Sequence, residues 1–157
     1  MVNRERLRKQ LELHEGIKLK AYKCTAGKWT IGVGYNIDAH GLPFGYSLEK
    51  LKTVGITPNE AAVLLDREID TIEQRIQRDA PWMLDLSEVR LRALIDMAFN
   101  LGFDGLLAFK NTLKAVEAGL YDVAAAGMLA SKWAKQVKGR AARLARMMRT
   151  GEDSKDF

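Results

Sequence analysis

The sequence predicts a mostly helical α+β fold, and three observations lead there. Apolar residues recur at helical spacing along most of the 157 residues. One short region, from Leu19 to Tyr35, instead alternates with a period of two. A strong helix start at Thr57-Pro58-Asn59-Glu60 then opens an apolar stripe that runs to Ala80-Pro81. Together they predict one domain over 1–157, with a small hairpin-bearing lobe at about 16–57. The larger helical lobe takes about 58–157 and the N-terminal helix.

Leu7, Leu11 and His14 share a face, which predicts a helix from Asn3 to Glu15 that Gly16 ends. Leu19 to Lys23 reads as extended, and Thr25-Ala26-Gly27 supplies a turn. Lys28 to Tyr35 reads as one alternating strand. Trp29, Ile31, Val33 and Tyr35 fall inward, with Lys28, Thr30, Gly32 and Gly34 on the other face. So little bulk on that second face would let a polymer approach the backbone. A connection from Ile37 to Gly55 follows. In the next helix Thr57 is the N-cap, Pro58 takes the first position, and Leu65, Ile69, Ile72 and Ile76 form the stripe. About 20 residues at 1.5 Å each give a rod of roughly 30 Å that ties the lobes together. Leu91, Leu94, Ile95, Ala98, Phe99 and Leu101 nearly surround the helix opened by Asp85-Leu86-Ser87-Glu88, which places it at the centre of the larger lobe. Shorter helices are expected from Thr112 to Ala118 and Asp122 to Leu129, then a basic one from Gly139 to Thr150. The tail after Gly151 reads as loose.

Composition narrows the function classes. A lone Cys excludes an internal disulfide framework and suits a reducing compartment. No apolar window is long enough to span a bilayer, and the N-terminus lacks a secretory apolar core, so no export route of its own is expected. Without clustered His, Cys and carboxylate ligands, neither a metal nor a cofactor is expected. Lys132, Lys135, Lys138, Arg140, Arg143, Arg146 and Arg149 occur with no acid between Ser131 and Thr150. With a net charge of +5 this favours an anionic partner, a cell wall or outer-membrane surface. A nucleic-acid-binding helix is the other reading, but it leaves the segment around Glu15 without a purpose, so no nucleic acid is expected.

Glu15, Cys24 and Thr30 are the residues to which chemistry attaches. Glu15 falls in a last helical turn, where exposed carbonyls disfavour a carboxylate and push it toward the acid form. That suits a general acid. Cys24 stands across the turn from Thr30, the one hydroxyl on the uncluttered face. Taken singly, each has a plainer role: a solvated Glu, a small buried thiol, a good strand Thr. Trp133 reads as core, and His14 and His40 as structural or exposed.

The motifs settle the choice. His14-Glu15-Gly16 through Gly32-Val33-Gly34-Tyr35 resembles the catalytic segment of the phage-type lysozymes, the endolysin family of glycoside hydrolases. Ile56-Thr57-Pro58-Asn59-Glu60-Ala61, Ala98-Phe99-Asn100-Leu101-Gly102, Phe109-Lys110-Asn111-Thr112-Leu113, Ser131-Lys132-Trp133 and Arg149-Thr150-Gly151 follow in family order. The resemblance implies a lysozyme-like fold and hydrolysis of peptidoglycan between N-acetylmuramic acid and N-acetylglucosamine. Family members place Glu, then Asp or Cys, then Thr at this spacing, which carries the catalytic roles to Glu15, Cys24 and Thr30. Arg140 matches an Arg that pairs with the catalytic Glu, and Phe99 and Thr112 match positions that touch the sugar chain. Three departures stand out: Cys24 where better-known members have Asp, Asn36 where they have Leu, and Gly127 where they have a sugar-binding Asn.

Cys24 has three routes open to it. A thiolate could attack the anomeric carbon and retain configuration, or act as base on water and invert it; oxidation to a sulfinate would restore a pair of negative oxygens. Lys23 and Lys28 are the expected source of any stabilisation of a thiolate. Water activation with Thr30 as second positioning group is the expectation, because better-known members invert. A wall-binding protein that kept the fold and lost turnover through Cys24 is the alternative. The resemblance further implies a monomer made in the host cytoplasm that reaches the periplasmic wall after a separate holin opens the membrane.

Overall fold

The computed structural model describes residues 2–157. Helix α1 (Arg4–Glu15) leads into strands β1 (Lys18–Lys23), β2 (Trp29–Gly32) and β3 (Tyr35–Asn36). Short helices α2 (Ile37–His40) and α3 (Leu48–Thr53) precede the long α4 (Pro58–Asp79). Then come α5 (Glu88–Leu101), α6 (Phe103–Leu107), α7 (Lys110–Glu117), α8 (Tyr121–Leu129), α9 (Lys132–Val137) and α10 (Gly139–Thr150). This is the mostly helical α+β architecture the sequence predicts, with a small hairpin lobe and a larger helical one joined by α4. No helix of the described residues is long and apolar enough to cross a membrane.

The residues fall into two compact units, Arg8–Asp70 and the residues up to Leu7 with Thr71–Phe157. Both α1 and α4 contribute to each. In the first unit an antiparallel sheet in the order β1-β2-β3 packs on α3 and the start of α4. Its core is Ile31, Tyr35, Ile37, Leu51, Ile56, Ala61 and Leu64, all buried. Each buried Ile or Leu among them contributes about 2 kcal/mol by leaving water.

Two local readings are corrected. The segment Lys28–Tyr35 is not one strand: Ile31 pairs with Tyr35 and Thr30 with Asn36, so the chain turns at Val33-Gly34. Gly32 (φ +67°) and Gly34 (φ +68°) make that bend possible. The glycine face is also not left open for a polymer. Gly32 and Thr30 are buried, and a Cβ at Gly32 would already touch that of Ala61 on α4 at 3.7 Å. The Ile37–Gly55 connection holds α2 and α3, whose N-cap signals are Asn36 and Ser47. The Asn36 Oδ1 accepts from the Ala39 N–H at 3.0 Å, and the Ser47 Oγ from that of Lys50 at 3.1 Å. At the head of α4 the Thr57-Glu60 capping box closes in both directions, at 2.9 and 3.1 Å.

In the second unit α5 is buried from Leu91 to Ala98, and α8 packs on α7 and α10. Burial extends to two charges the periodicity did not flag, Arg92 and Asp96, both 0% exposed. Arg92 is held by Glu88 at 2.8 Å and Asp153 at 3.0 Å. Arg140 answers Asp96 at 2.8 Å. The tail after Gly151, expected to be loose, is docked. Asp153 accepts from both Arg92 and Arg6, and the Phe157 ring lies 5.2 Å from the Arg6 guanidinium. A buried cation needs its partner, and here the tail supplies one.

Candidate active site

Glu15 is the last residue of α1, where Gly16 (φ +75°) lets the chain leave and its N–H closes on the Glu12 carbonyl at 2.8 Å. Its side chain rests against the β2-β3 turn: a Cβ on Gly34 would lie 3.2 Å from Oε2. Only a glycine lets the backbone pass this close with φ positive.

Across the sheet, Tyr22 pairs with Thr30 and Lys23 with Trp29. Cys24 opens the connecting turn. Its N–H donates to the Lys28 carbonyl at 2.9 Å, and its own carbonyl accepts from Gly27 at 2.8 Å. The half-buried thiol is held below the ordinary thiol range. The largest contributions come from the backbone N–H of Lys28 and then that of Ala26, with the Thr30 hydroxyl adding a smaller one. The turn's amides, rather than the Lys23 and Lys28 ammonium groups, thus favour the anion. Lys23 Nζ lies over the Trp29 ring at 5.5 Å instead. The Thr30 hydroxyl is buried and donates to the Lys28 carbonyl at 3.0 Å. With one proton to give, it serves either that oxygen or the sulfur, and a thiolate draws it.

Tyr22 links these parts. Burial pushes its phenol up, and the charges of Cys24 and then Glu15 push it the same way. On α4, Glu68 is 17% exposed and has its carboxyl pushed up to about 8, by burial first and by the charge of Glu15 second.

Compared with protein families, residues 12–150 match the phage lysozyme model. The chain belongs to the phage lysozyme family. It is accordingly a lysozyme-type enzyme, a glycosidase by class. Among curated relatives, it is 32% identical to the pre-baseplate central spike protein Gp5 of Enterobacteria phage T4 over 90% of this chain and 27% of that protein. This chain thus spans about a quarter of the spike protein's length. It is 28% identical to the probable T4-type lysozyme 1 of Dictyostelium discoideum, across 92% of this chain and 94% of the relative. An endolysin of Acyrthosiphon pisum secondary endosymbiont phage 1 is 28% identical across 83% of this chain and 79% of its own.

Of the residues this phage lysozyme offered from sequence, Glu15, Cys24 and Thr30 lie in the unit Arg8–Asp70. Arg140, Phe99 and Thr112 lie in the other. Arg140 donates from Nε to Asp96 Oδ1 at 2.9 Å. Phe99 is half-buried on α5. Thr112 is buried, and Gly127 gives its hydroxyl room: a Cβ there would stand 2.6 Å from Oγ1. Trp133 is core, its Nε1 donating to Asn100 at 2.7 Å and its ring meeting Phe109 edge-on. Sequence reasoning missed Tyr22, Glu68 and the role of Gly34. A signal existed for Glu68, since it sits four residues after buried Leu64 and beside buried Ile69, a charge on an apolar stripe.

Proposed function

We propose that this phage lysozyme hydrolyses the β-1,4 bond between N-acetylmuramic acid and N-acetylglucosamine of peptidoglycan, with Glu15 as the proton donor. Glu15 delivers its proton to the glycosidic oxygen, which leaves as the hydroxyl of the departing sugar. Cys24, supported by Thr30, activates or positions a water that attacks the anomeric carbon from the opposite face, so the first product is inverted. The observation that carries this reading is that the Glu15 carboxylate rests against the β2-β3 turn of the same small sheet whose β1-β2 turn bears Cys24. A Cys can fill an Asp position here because the turn's own amides stabilise its anion. Arg140, Phe99 and Thr112 are proposed as acid-positioning and sugar-contacting residues on the family match.

The setting belongs to the same proposal: a monomer made in the host cytoplasm, released to the wall by a separate holin, for lysis and phage release. The basic α10 draws it to anionic wall or outer membrane, although Arg143 is already paired with Asp156 at 2.9 Å. The match to a spike protein favours a second setting for the same chemistry, a lysozyme module within a spike. The deciding experiment compares wild type, Glu15→Gln, Cys24→Asp and Cys24→Ala in clearing chloroform-treated Gram-negative cells. Glu15→Gln should lose about 10²–10⁴-fold, Cys24→Asp should remain active and Cys24→Ala should fall between. Undiminished clearing by Glu15→Gln ends the proposal.

A further inference from the structure

Three phenols belong to the unit Arg8–Asp70, and two of them are engaged inside the protein. The Tyr35 hydroxyl donates to the Gly41 carbonyl at 3.2 Å, and the Tyr46 hydroxyl donates to the Glu60 Oε2 at 2.6 Å. The third, on Tyr22, has no hydrogen-bond partner among the described residues. Its ring is half-buried all the same, with the Lys18 Nζ over one face at 5.1 Å from the centroid. A packed tyrosine ordinarily finds its hydroxyl a partner, so this one is set apart.

Strand register says where the phenol stands. Residues directly opposite in an antiparallel pair place their side chains on one face of the sheet. Tyr22 is opposite Thr30, and Thr30 is opposite Asn36, so the three form a row across β1, β2 and β3. The other face is the one that packs: Ile31 and Tyr35 are core, with Leu19, Ala21 and Trp29 against it. On the Tyr22 face Thr30 is buried at the middle of the row, while Tyr22 and Asn36 at either side are half-exposed. The Asn36 Oδ1 is held by the Ala39 N–H at 3.0 Å. Cys24 belongs to the same face, since the Thr30 hydroxyl bears on its thiol. A chain of sugars laid over this face therefore meets the side chains that flank Thr30, not bare backbone. Tyr22 is the flanking residue two positions from Cys24.

We propose that Tyr22 is a substrate-binding residue: its phenol donates a hydrogen bond to an oxygen of the sugar whose anomeric carbon is attacked. That sugar is the one beside Cys24 and Thr30, because the attacking water comes from their side. With the ring half-buried and Lys18 over one face, the contact falls to the hydroxyl rather than to stacking. The inference rests on the muramidase reading. Removing the hydroxyl should leave the fold intact, because no described residue receives it.

Tyr22→Phe keeps the ring and deletes only the donor. Binding is measured by calorimetry without turnover, in Glu15→Gln and in Glu15→Gln combined with Tyr22→Phe. The probe is a tetrasaccharide of alternating N-acetylglucosamine and N-acetylmuramic acid. Loss of the hydroxyl should weaken Kd by about 3–10-fold. An equal Kd in the two proteins overturns the inference alone; no binding by Glu15→Gln itself overturns the substrate reading and takes the inference with it. In the active enzyme, Tyr22→Phe should raise KM by a similar factor and hold kcat within about 2-fold, as a contact made equally in ground and transition states requires. A loss confined to kcat overturns the inference. So does a lowered urea midpoint, which would assign the phenol a partner within the protein.

Discussion

At Gly34 a hydrogen stands where any other residue would place a carbon 3.2 Å from the Glu15 carboxylate. Replacing it by Ala adds two penalties, a left-handed backbone (φ +68°) worth about 1 kcal/mol and a push on the acid itself. Misplacing a catalytic group by an ångström costs up to about 100-fold. Gly34→Ala should therefore lower kcat by about 10–100-fold while KM changes little, a split that steady-state kinetics on soluble glycan fragments would show. An unchanged kcat would mean that the β2-β3 turn does not seat the acid. Glu15, Cys24 and Thr30 could be singled out from sequence because spacing and motif order are one-dimensional. Tyr22, Gly34 and Glu68 could not, because their meaning is who lies opposite whom, which alternation alone does not encode. Gly34 was visible as a bare position, but bareness does not say whether a ligand or the protein's own Glu15 fills the gap.

Among the elements, the ends of helices were written plainly. Gly16 after Glu15, and Thr57 with Glu60 before α4, name their boundaries because capping is chemistry local to a few residues. The short α2 and α3 were not legible, since four to six residues give too few turns for periodicity. Only their caps, Asn36 and Ser47, betray them. One join between elements is tighter than its sequence suggests. Gly55 (φ +83°) passes the end of β1 so closely that an added Cβ would collide with the Leu19 carbonyl oxygen. That same oxygen accepts the Ile56 N–H at 2.8 Å, so it cannot retreat without breaking the bond. Gly55→Ala should destabilise by about 2–4 kcal/mol, through strain plus a lost buried hydrogen bond. Urea denaturation would read this as a lowered midpoint at unchanged slope; an unfolding free energy within about 0.5 kcal/mol of wild type would refute the clash.

For the whole molecule the charge pattern sets a window of stability. Glu68 has its carboxyl pushed up to about 8 in the fold, from an unfolded value of 4.5. Its stabilising contribution is therefore complete below 4.5 and is lost as pH rises through about 8, with a size of order a few kcal/mol. Asp79 runs the other way. Arg78 and then Arg75 hold it at about 2, so its contribution is present above 3.8 and is lost as pH falls toward about 2. Tm should thus be highest in mildly acidic solution and decline toward alkaline pH. Glu68→Gln should flatten the alkaline decline and leave the acid one, which differential scanning calorimetry across pH would reveal. An alkaline decline that persists in Glu68→Gln would assign it to another group. At this scale the sequence spoke least. Arg92 inside α5 and Asp153 in the tail are 61 residues apart, and nothing local announces that they meet.

The lone cysteine carries a practical consequence. Because it is half-buried at a turn whose amides favour its anion, and because the chain holds no second sulfhydryl, an alkylating reagent has one target, at the turn between β1 and β2. Intact-mass spectrometry would then count derivatised molecules one for one, and storage in air without reductant would register as a steady drop in specific activity.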